Sequence, residues 1–406
     1  MKTVTEARAL ILQSIRPTPV EHVPLAEALG RTLAAEVVSS DTIPPFDNSA
    51  MDGFAVRAAD VERVPVTLRV IERIHAGTFP SSQLKEGDCA QIMTGAPVPK
   101  GADAVVPVEW TDRVESTGGW GGERVTIGRC PEPGQHVRPA GGDVQAGALV
   151  FHAGQVVTPP VVGMLAALGY ADVPVRSRPR VAVVATGDEL AAPGQPLGPG
   201  QIRNSNGPAL AAQVASAGGE ARPPLVARDD PESVRAAVEQ ALEADVLILS
   251  GGVSVGEHDY VKQVLDELGL ELLFWRVRQR PGKPLAFGLL RGKPVFGLPG
   301  NPVSSAVCFH QYVRPALAAM LGQAGPGPQL HTALLDTDIP KPAGLHVFAR
   351  GKAYTDERGM LRVDSTGPQG SNVYSSFVQA NCLIHLPEQM EQAPAGTPVQ
   401  IEWLHW

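Results

Sequence analysis

Four short segments of this chain set glycine or proline beside charge in patterns able to hold anions and metal ions. The first is Ser250-Gly-Gly-Val-Ser-Val-Gly-Glu-His-Asp-Tyr260. It lies between a run expected to be a buried strand, Asp245–Leu249, and an amphipathic run, Tyr260–Gly269, expected to be a helix. Small residues there leave backbone N–H groups free at a helix start, where unpaired donors and the helix dipole attract anions. Glu257 and Asp259 close the same loop and would repel a bare anion, unless a divalent cation bridges the two. The simpler reading is a tight turn with Asp259 as N-cap.

The second segment is Thr186-Gly-Asp-Glu-Leu190, directly after the expected strand Val181–Ala185, with Glu189 where a strand end presents a ligand group. Its plain alternative is a turn begun by Asp188 and Glu189. The third, Arg276-Val-Arg-Gln-Arg-Pro-Gly-Lys-Pro284, displays Arg276, Arg278, Arg280 and Lys283 on a backbone held open by prolines. Arginine suits bidentate contact with phosphate or another oxyanion, although such charge runs are commonly just solvated. The fourth, Leu298-Pro-Gly-Asn-Pro-Val-Ser-Ser305, feeds an expected helix Val303–Leu321 that Ser304 or Ser305 could cap or that could receive a phosphate. Further off stand Asp52, Thr94 and Asp143, each in a Gly/Pro loop where a turn role is the ordinary one. Carboxylates without histidine or thiol partners suit Mg²⁺ rather than zinc. The chemistry this implies is metal-assisted reaction at a phosphate or other oxyanion.

The elements that must position these groups form an alternating series. Expected strands are Val181–Ala185, Pro224–Ala227, Val246–Ser250 and Leu272–Val277; expected helices are Pro208–Ser216, Pro231–Glu243, Tyr260–Leu268 and Val303–Leu321. Asp230-Pro-Glu232 is a strong helix start. Such alternation predicts a parallel sheet covered on both faces, with ligands at the carboxyl ends of its strands. No dinucleotide or P-loop fingerprint follows the first strand, which disfavours an ordinary NAD domain or ATPase. Before this region come a helix over 4–15, a short helix and a strand Leu33–Val38 within 21–41, and a loop over Ile43–Val56. Short strands follow over 64–150, with a surface turn at Gly118–Gly122, then a helix Val162–Leu168. After the linker Gly322–Pro328, the runs His331–Leu335, His346–Ala353, Met360–Val363, Asn381–Leu386 and Val399–Leu404 predict a small all-β domain.

Composition sets the bounds. At 406 residues the chain is long enough for two to four domains. A net charge of −8 excludes a general binder of nucleic acid or acidic membrane, so an anionic substrate needs local cations, a metal or helix ends. The four cysteines, Cys89, Cys130, Cys308 and Cys382, have no zinc-site spacing. No signal core follows Met1, and no apolar run reaches the roughly 18 residues of a membrane span. The expectation is a cytoplasmic protein.

The segments, taken in order, resemble those of the MoeA-type molybdopterin molybdenumtransferases, a family that includes the gephyrin E domain. The matching pieces are Pro44–Arg57, Ile92–Val106, Ala185–Leu190, Leu249–Tyr260, Pro281–Gly288 and Gly297–Ser304, with Gly370–Phe377 and Ala380–Ile384 similar to the family's C-terminal domain. The resemblance implies a multidomain α/β protein. A central, doubly wound molybdopterin-binding α/β domain over 177–324 is joined by a C-terminal β-barrel over 325–406. A β-rich, lid-like domain spans 27–45 and 54–146, and an elongated linking domain is built from 1–26, 46–53 and 147–176. It implies a homodimer whose active cleft forms between subunits. The implied reaction joins molybdate to adenylyl-molybdopterin with Mg²⁺, releasing AMP and molybdenum cofactor, with possible contact to the adenylyltransferase that supplies the pterin.

Carried over by position, Asp52, Thr94, Glu189 and Asp259 are the implied catalytic residues, and Glu189 and Asp259 the implied Mg²⁺ ligands. Asp143, Asp229, Arg276, Arg280, Lys283, Pro299, Pro302 and Ser371 would bind substrate, with Gly251, Gly252, Ser254 and Gly300 in the glycine loops that cradle phosphate. Asp52, Thr94 and Asp143 would come from one subunit and the central-domain residues from the other. Arg280 stands where the family often has lysine, and Asn204 where it commonly has aspartate, which puts a metal role at 204 in doubt. The rivals are a non-catalytic scaffold of the same fold, a tungstate-inserting paralogue, and a sugar-phosphate or nucleotide enzyme with a doubly wound domain.

Overall fold

The computed structural model describes residues 1–113, 123–252, 260–325 and 327–404. The expected turn at Gly118–Gly122 and the loop residues Ser254, Glu257, His258 and Asp259 lie outside the described residues. Two compact units result: residues 1–35, 153–158 and 172–406 form one, and residues 36–152 and 159–171 the other.

In the larger unit, apolar residues alternate between two buried faces of one sheet. Val181, Val183, Val246 and Ile248 face the helices Val4–Ser14 and Asn206–Ser216 and the long helix from Pro302. Their neighbours Ala182, Val184, Leu247 and Leu249 face Pro231–Ala241 and Tyr260–Glu267. A strand apolar at every position is the mark of a sheet covered on both sides. Glu220–Ala221 and Leu225–Ala227 pair with Arg180–Thr186, followed by Val246–Ser250 and Lys293–Leu298, all parallel. Ala286–Leu290 pairs antiparallel with Lys293–Leu298, and Glu271–Trp275 pairs antiparallel with Ala286–Leu290, so one strand is reversed, which corrects the expectation of a parallel sheet. The cause is local. Arg291 and Gly292 both take positive φ (52° and 75°), the conformation of a tight two-residue hairpin turn, so the chain folds straight back instead of crossing over.

Helix ends follow the local chemistry. Asp230 accepts from the Ser233 N–H at 2.7 Å with Pro231 at the first position, as its sequence predicts. The Asn206–Ser216 helix begins two residues before Pro208, with Asn204 Oδ1 accepting from the Gly207 N–H at 2.9 Å. The helix expected over Val303–Leu321 is not uniform: α-helices Pro302–Cys308 and Arg314–Met320 flank a π turn, Phe309–Val313. Pro315 has no N–H, so the Gln311 carbonyl four residues earlier loses its helical donor. Arg8, on the helix Val4–Ser14, donates from Nε to that carbonyl at 3.2 Å and from Nη2 to the Gln311 side-chain oxygen. The expected strand Leu33–Val38 is divided: Leu33 bridges Val175, while Val37–Val38 pairs with Leu149–Phe151. Residues 20–27 hold a strand, Val20–Pro24, and a single turn, Leu25–Glu27.

Residues 330–403 close into a five-stranded barrel. Its order is His346–Thr355, Leu361–Ser365, Leu330–Leu335, Pro398–Trp403 and Cys382–Leu386, which pairs again with His346–Thr355. Closure leaves no free edge within the ring. The two-residue strand Gln279–Arg280 adds parallel to His346–Val347. The smaller unit carries a five-stranded sheet in the order Ala104–Pro107, Gly53–Val56, Asp88–Ile92, Val66–Ile74 and Arg124–Ile127. Gly53–Val56, expected as loop, is a fully buried strand there. Phe54 and Val56 enter one core and Ala55 the other. Among the described residues no helix is long and apolar enough to cross a membrane.

Candidate active site

Because the parallel strands share a direction, Thr186, Ser250 and Leu298 end at one edge of the sheet. The loops that leave this edge enclose a cleft of about 940 Å³. Seven of the residues singled out from sequence line it: Glu189, Asp229, Gly251, Gly252, Pro299, Gly300 and Pro302. They come from four separate loops, and side chains hold those loops in register. Asp188 Oδ1 accepts from the Asp229 N–H at 3.2 Å, joining the first two. Asn206 Nδ2 donates to Ser250 Oγ at 2.9 Å and to the Gly300 carbonyl at 2.8 Å, joining the other two to the start of its own helix.

Gly251 and Gly252 have φ of 98° and 62°, a region in which a side chain is strained. A Cβ on Gly251 would lie 2.7 Å from the Thr186 carbonyl oxygen, and one on Gly252 2.4 Å from Val261 Cγ2. Only glycine fits at these two positions, and the Gly251 N–H donates to the Leu298 carbonyl at 3.2 Å, tying this loop to the neighbouring strand end. Among the described residues the cleft's charged side chains are the exposed carboxylates Glu189 and Asp229 with the exposed cation Arg203. No histidine or cysteine lines it among the described residues. This donor set is one of hard oxygens, and it fits Mg²⁺. No group of three or more His, Cys, Asp or Glu able to hold a metal occurs among the described residues. Mg²⁺ usually takes one or two carboxylates and completes its shell with phosphate oxygens and water, so the two carboxylates are compatible with it.

The other candidates fall elsewhere. Ser254 and Asp259 lie outside the described residues. Arg280 is exposed and lines a second cavity of about 380 Å³, together with Arg350, Asp338 and Gln369. Arg276, Lys283 and Ser371 do not line the cleft, although Pro284 and Asn372, the neighbours of the last two, do. The cationic segment is nonetheless rigidly held. Gln279, wholly buried, donates from Nε2 to the Gly282 carbonyl (3.1 Å) and to Cys308 Sγ (3.4 Å), and accepts from the Tyr312 hydroxyl. Val277 and Arg278 are further paired to Lys2.

Arg350, absent from the sequence-based candidates, is 0 % exposed and donates to Ser376 Oγ and to the carbonyls of Pro368, Gln369 and Gly370. It thereby shapes the loop that carries Ser371. Burial, with Arg280 nearby, lowers its pKa to about 10, which leaves it cationic at neutral pH. In the smaller unit, the N–H and hydroxyl of Thr94 both donate to Asp52 Oδ1, at 2.7 and 2.8 Å, so the fold brings these two candidates together across 42 residues of chain. Asp143 is exposed in that unit, its backbone N–H on the Ile43 carbonyl.

The barrel meets the long helix through a different set of groups. Glu402, buried, accepts from His310 Nε2 at 2.9 Å, His385 Nε2 at 3.1 Å and Gln311 Nε2 at 2.7 Å. An ionised carboxylate only accepts, so both imidazoles carry their proton on Nε2. Burial alone would raise the Glu402 pKa; the hydrogen bonds from His310 and His385 outweigh it and hold the carboxyl well below its usual range. Nothing local in the sequence marks these residues, which meet only in the fold.

Three family models match successive stretches: the MoeA N-terminal region (domain I and II) over residues 2–169, a probable molybdopterin binding domain over 182–319, and the MoeA C-terminal region (domain IV) over 332–404. A molybdopterin molybdenumtransferase 2 of Mycobacterium tuberculosis is 40% identical, over 99% of both chains. A molybdopterin molybdenumtransferase of Haemophilus influenzae is 37% identical, over 99% of this chain and 98% of that one. The crystal structure of a molybdopterin biosynthesis moeA protein from Pyrococcus horikoshii superposes with a TM-score of 0.84 at 31% identity, covering 100% of each chain. By sequence along its whole length and by fold, the chain belongs to the MoeA family of molybdopterin molybdenumtransferases.

Proposed function

We propose that the chain inserts molybdate into adenylyl-molybdopterin and releases AMP and molybdenum cofactor, with Mg²⁺ as the metal. The supporting observation is the cleft of about 940 Å³ at the carboxyl edge of the sheet, lined by Gly251, Gly252 and Gly300 and by the carboxylates Glu189 and Asp229. Its size suits a nucleotide-bearing ligand. Two carboxylates beside a phosphate cradle make chemical sense where a cation lies between them, and that cation would neutralise charge on the phosphoanhydride when bound.

The chain's own residues then divide the work. The Gly251-Gly252 floor and the loop Pro299–Pro302 receive phosphate oxygens, as glycine-rich loops at helix starts do. Glu189, exposed in the cleft, positions a water on the phosphoanhydride and accepts its proton as the water oxygen bonds to the AMP phosphorus and the anhydride bond to the pterin phosphate breaks. The segment Arg276–Lys283, held by Gln279 and backed by Arg350, offers cations to molybdate. The Asp52–Thr94 pair and Asp143 would complete the site from a second copy in a homodimer, facing Glu189, Asp229 and Asp259. The four-part division of the chain, a cytoplasmic location and contact with the adenylyltransferase that supplies the substrate belong to the same proposal.

The test is AMP release from adenylyl-molybdopterin with and without molybdate. Molybdate-dependent release is expected, and it is expected to fall at least 100-fold in Glu189→Gln, by analogy with loss of a single transition-state contact. Binding without turnover in the wild type would instead identify a scaffold.

A further inference from the structure

One group at the cleft is not accounted for by anything above. Thr186 ends the strand Arg180–Thr186, is 6 % exposed, and lines the cleft. Its Oγ1 is buried, yet has no hydrogen-bond partner among the described residues. The other polar side chains of the cleft floor behave differently: Ser250 Oγ is bonded to Asn206, and Asn204 Oδ1 to the Gly207 N–H. A buried hydroxyl normally finds a partner, because leaving it unpaired costs its full desolvation.

The position of this hydroxyl is specific. A Cβ on Gly251 would fall 2.9 Å from Thr186 Oγ1, and one on Gly252 3.0 Å from it. The hydroxyl therefore lies against both glycines, beside the space that their missing side chains leave. We infer that Thr186 Oγ1 is a ligand-binding group, donating a hydrogen bond to an oxygen of a phosphoryl group seated over Gly251 and Gly252. The class of ligand is a phosphate monoester or anhydride. This rests on the reading of the cleft as a phosphate site and adds to it a side-chain donor at its base.

The arrangement accounts for two features together. A glycine floor lets an anion approach the backbone closely, without fixing its rotation. One hydroxyl beside the floor adds a single directed donor, for which a phosphoryl oxygen is the acceptor. The same contact satisfies the orphaned hydroxyl, so binding recovers what folding leaves unpaired.

Thr186→Val replaces the hydroxyl with a methyl group of similar shape and tests the inference directly. The probes are AMP and adenosine, titrated calorimetrically into the full chain with Mg²⁺ present. Wild-type protein is expected to bind AMP, and Thr186→Val to bind it about 10- to 100-fold more weakly, the range for a hydrogen bond to a charged group. Adenosine, which has no phosphate, is expected to bind both proteins alike, and Thr186→Ser to retain wild-type AMP affinity. The unliganded Val variant is expected to melt no lower than wild type, since it loses only an unpaired polar atom. Equal AMP affinity in wild type and Val variant overturns the inference while leaving the cleft reading intact. So does a clear fall in the unliganded variant's melting temperature, which would mean that the hydroxyl serves a protein partner. A wild type that ignores AMP overturns the cleft reading, and this inference with it.

Discussion

Two polar regions of the larger unit invite comparison: the cleft at the sheet edge and the carboxylate node between helix and barrel. Around Glu402 every acceptor is matched, with three donors converging on one buried side chain. At the cleft, carboxylates stand exposed and a buried hydroxyl has no partner among the described residues. A fully satisfied cluster has nothing left to offer a ligand and serves architecture. An incompletely satisfied one is open to a ligand that completes it. The contrast separates residues expected to govern stability from those expected to govern turnover.

The largest effect is expected at the node. Glu402→Ala would strand three buried donors at once, costing about 3–5 kcal/mol, read as a fall in the urea midpoint. Against it, Glu189→Gln is expected to leave that midpoint within about 0.5 kcal/mol of wild type, the usual range for an exposed site. The comparison breaks if the two variants exchange phenotypes. Next in size is Gln279→Leu, which frees the Gly282 carbonyl and the Tyr312 hydroxyl. It is expected to cost about 1–3 kcal/mol and, if it positions the cations, to raise the molybdate concentration needed for half-maximal AMP release more than it lowers the maximal rate.

Acid sharpens the comparison further. Burial first, then the neighbouring His385, Arg8 and Lys341, lowers the His346 pKa from 6.5 to about 3. Burial likewise lowers that of His385. Folded values below the unfolded ones mean that the unfolded chain binds protons first. Their contribution is then complete above about pH 6.5 and declines as pH falls, while that of Glu402 is lost only below its unfolded value of 4.5. The urea midpoint should therefore drop between pH 7 and pH 5, and drop less in His346→Gln. The smallest effect is expected from Asn206→Ala. Loss of the link between Ser250 and Gly300 should slow AMP release roughly tenfold with little change in melting, as misplaced loops do.

Much of this organisation was legible because its cause is local. Strand ends, the Asp230-Pro231 helix start and the glycine floor each depend on residues adjacent in sequence, and together they locate the cleft. What could not be read depends on distant partners. The reversed strand follows from one hairpin, Arg291-Gly292, whose arginine carries no obvious turn signal. Gly53–Val56 lies among turn-forming residues, yet the sheet buries it as a strand. His310, His385 and Glu402 have no pattern relating them. Thr186 was visible only as the start of a polar segment, since being unpartnered is a property of three dimensions.

The Arg8 contact with Gln311 has a consequence of its own. One guanidinium addresses two atoms of the same residue, a main-chain oxygen and a side-chain oxygen, at the turn where Pro315 has released the former. The amino-terminal helix is thereby indexed to a single rung of its neighbour. Sliding by one turn would present it with carbonyls already engaged, and lysine in place of arginine would supply charge without the fork that reads the rung.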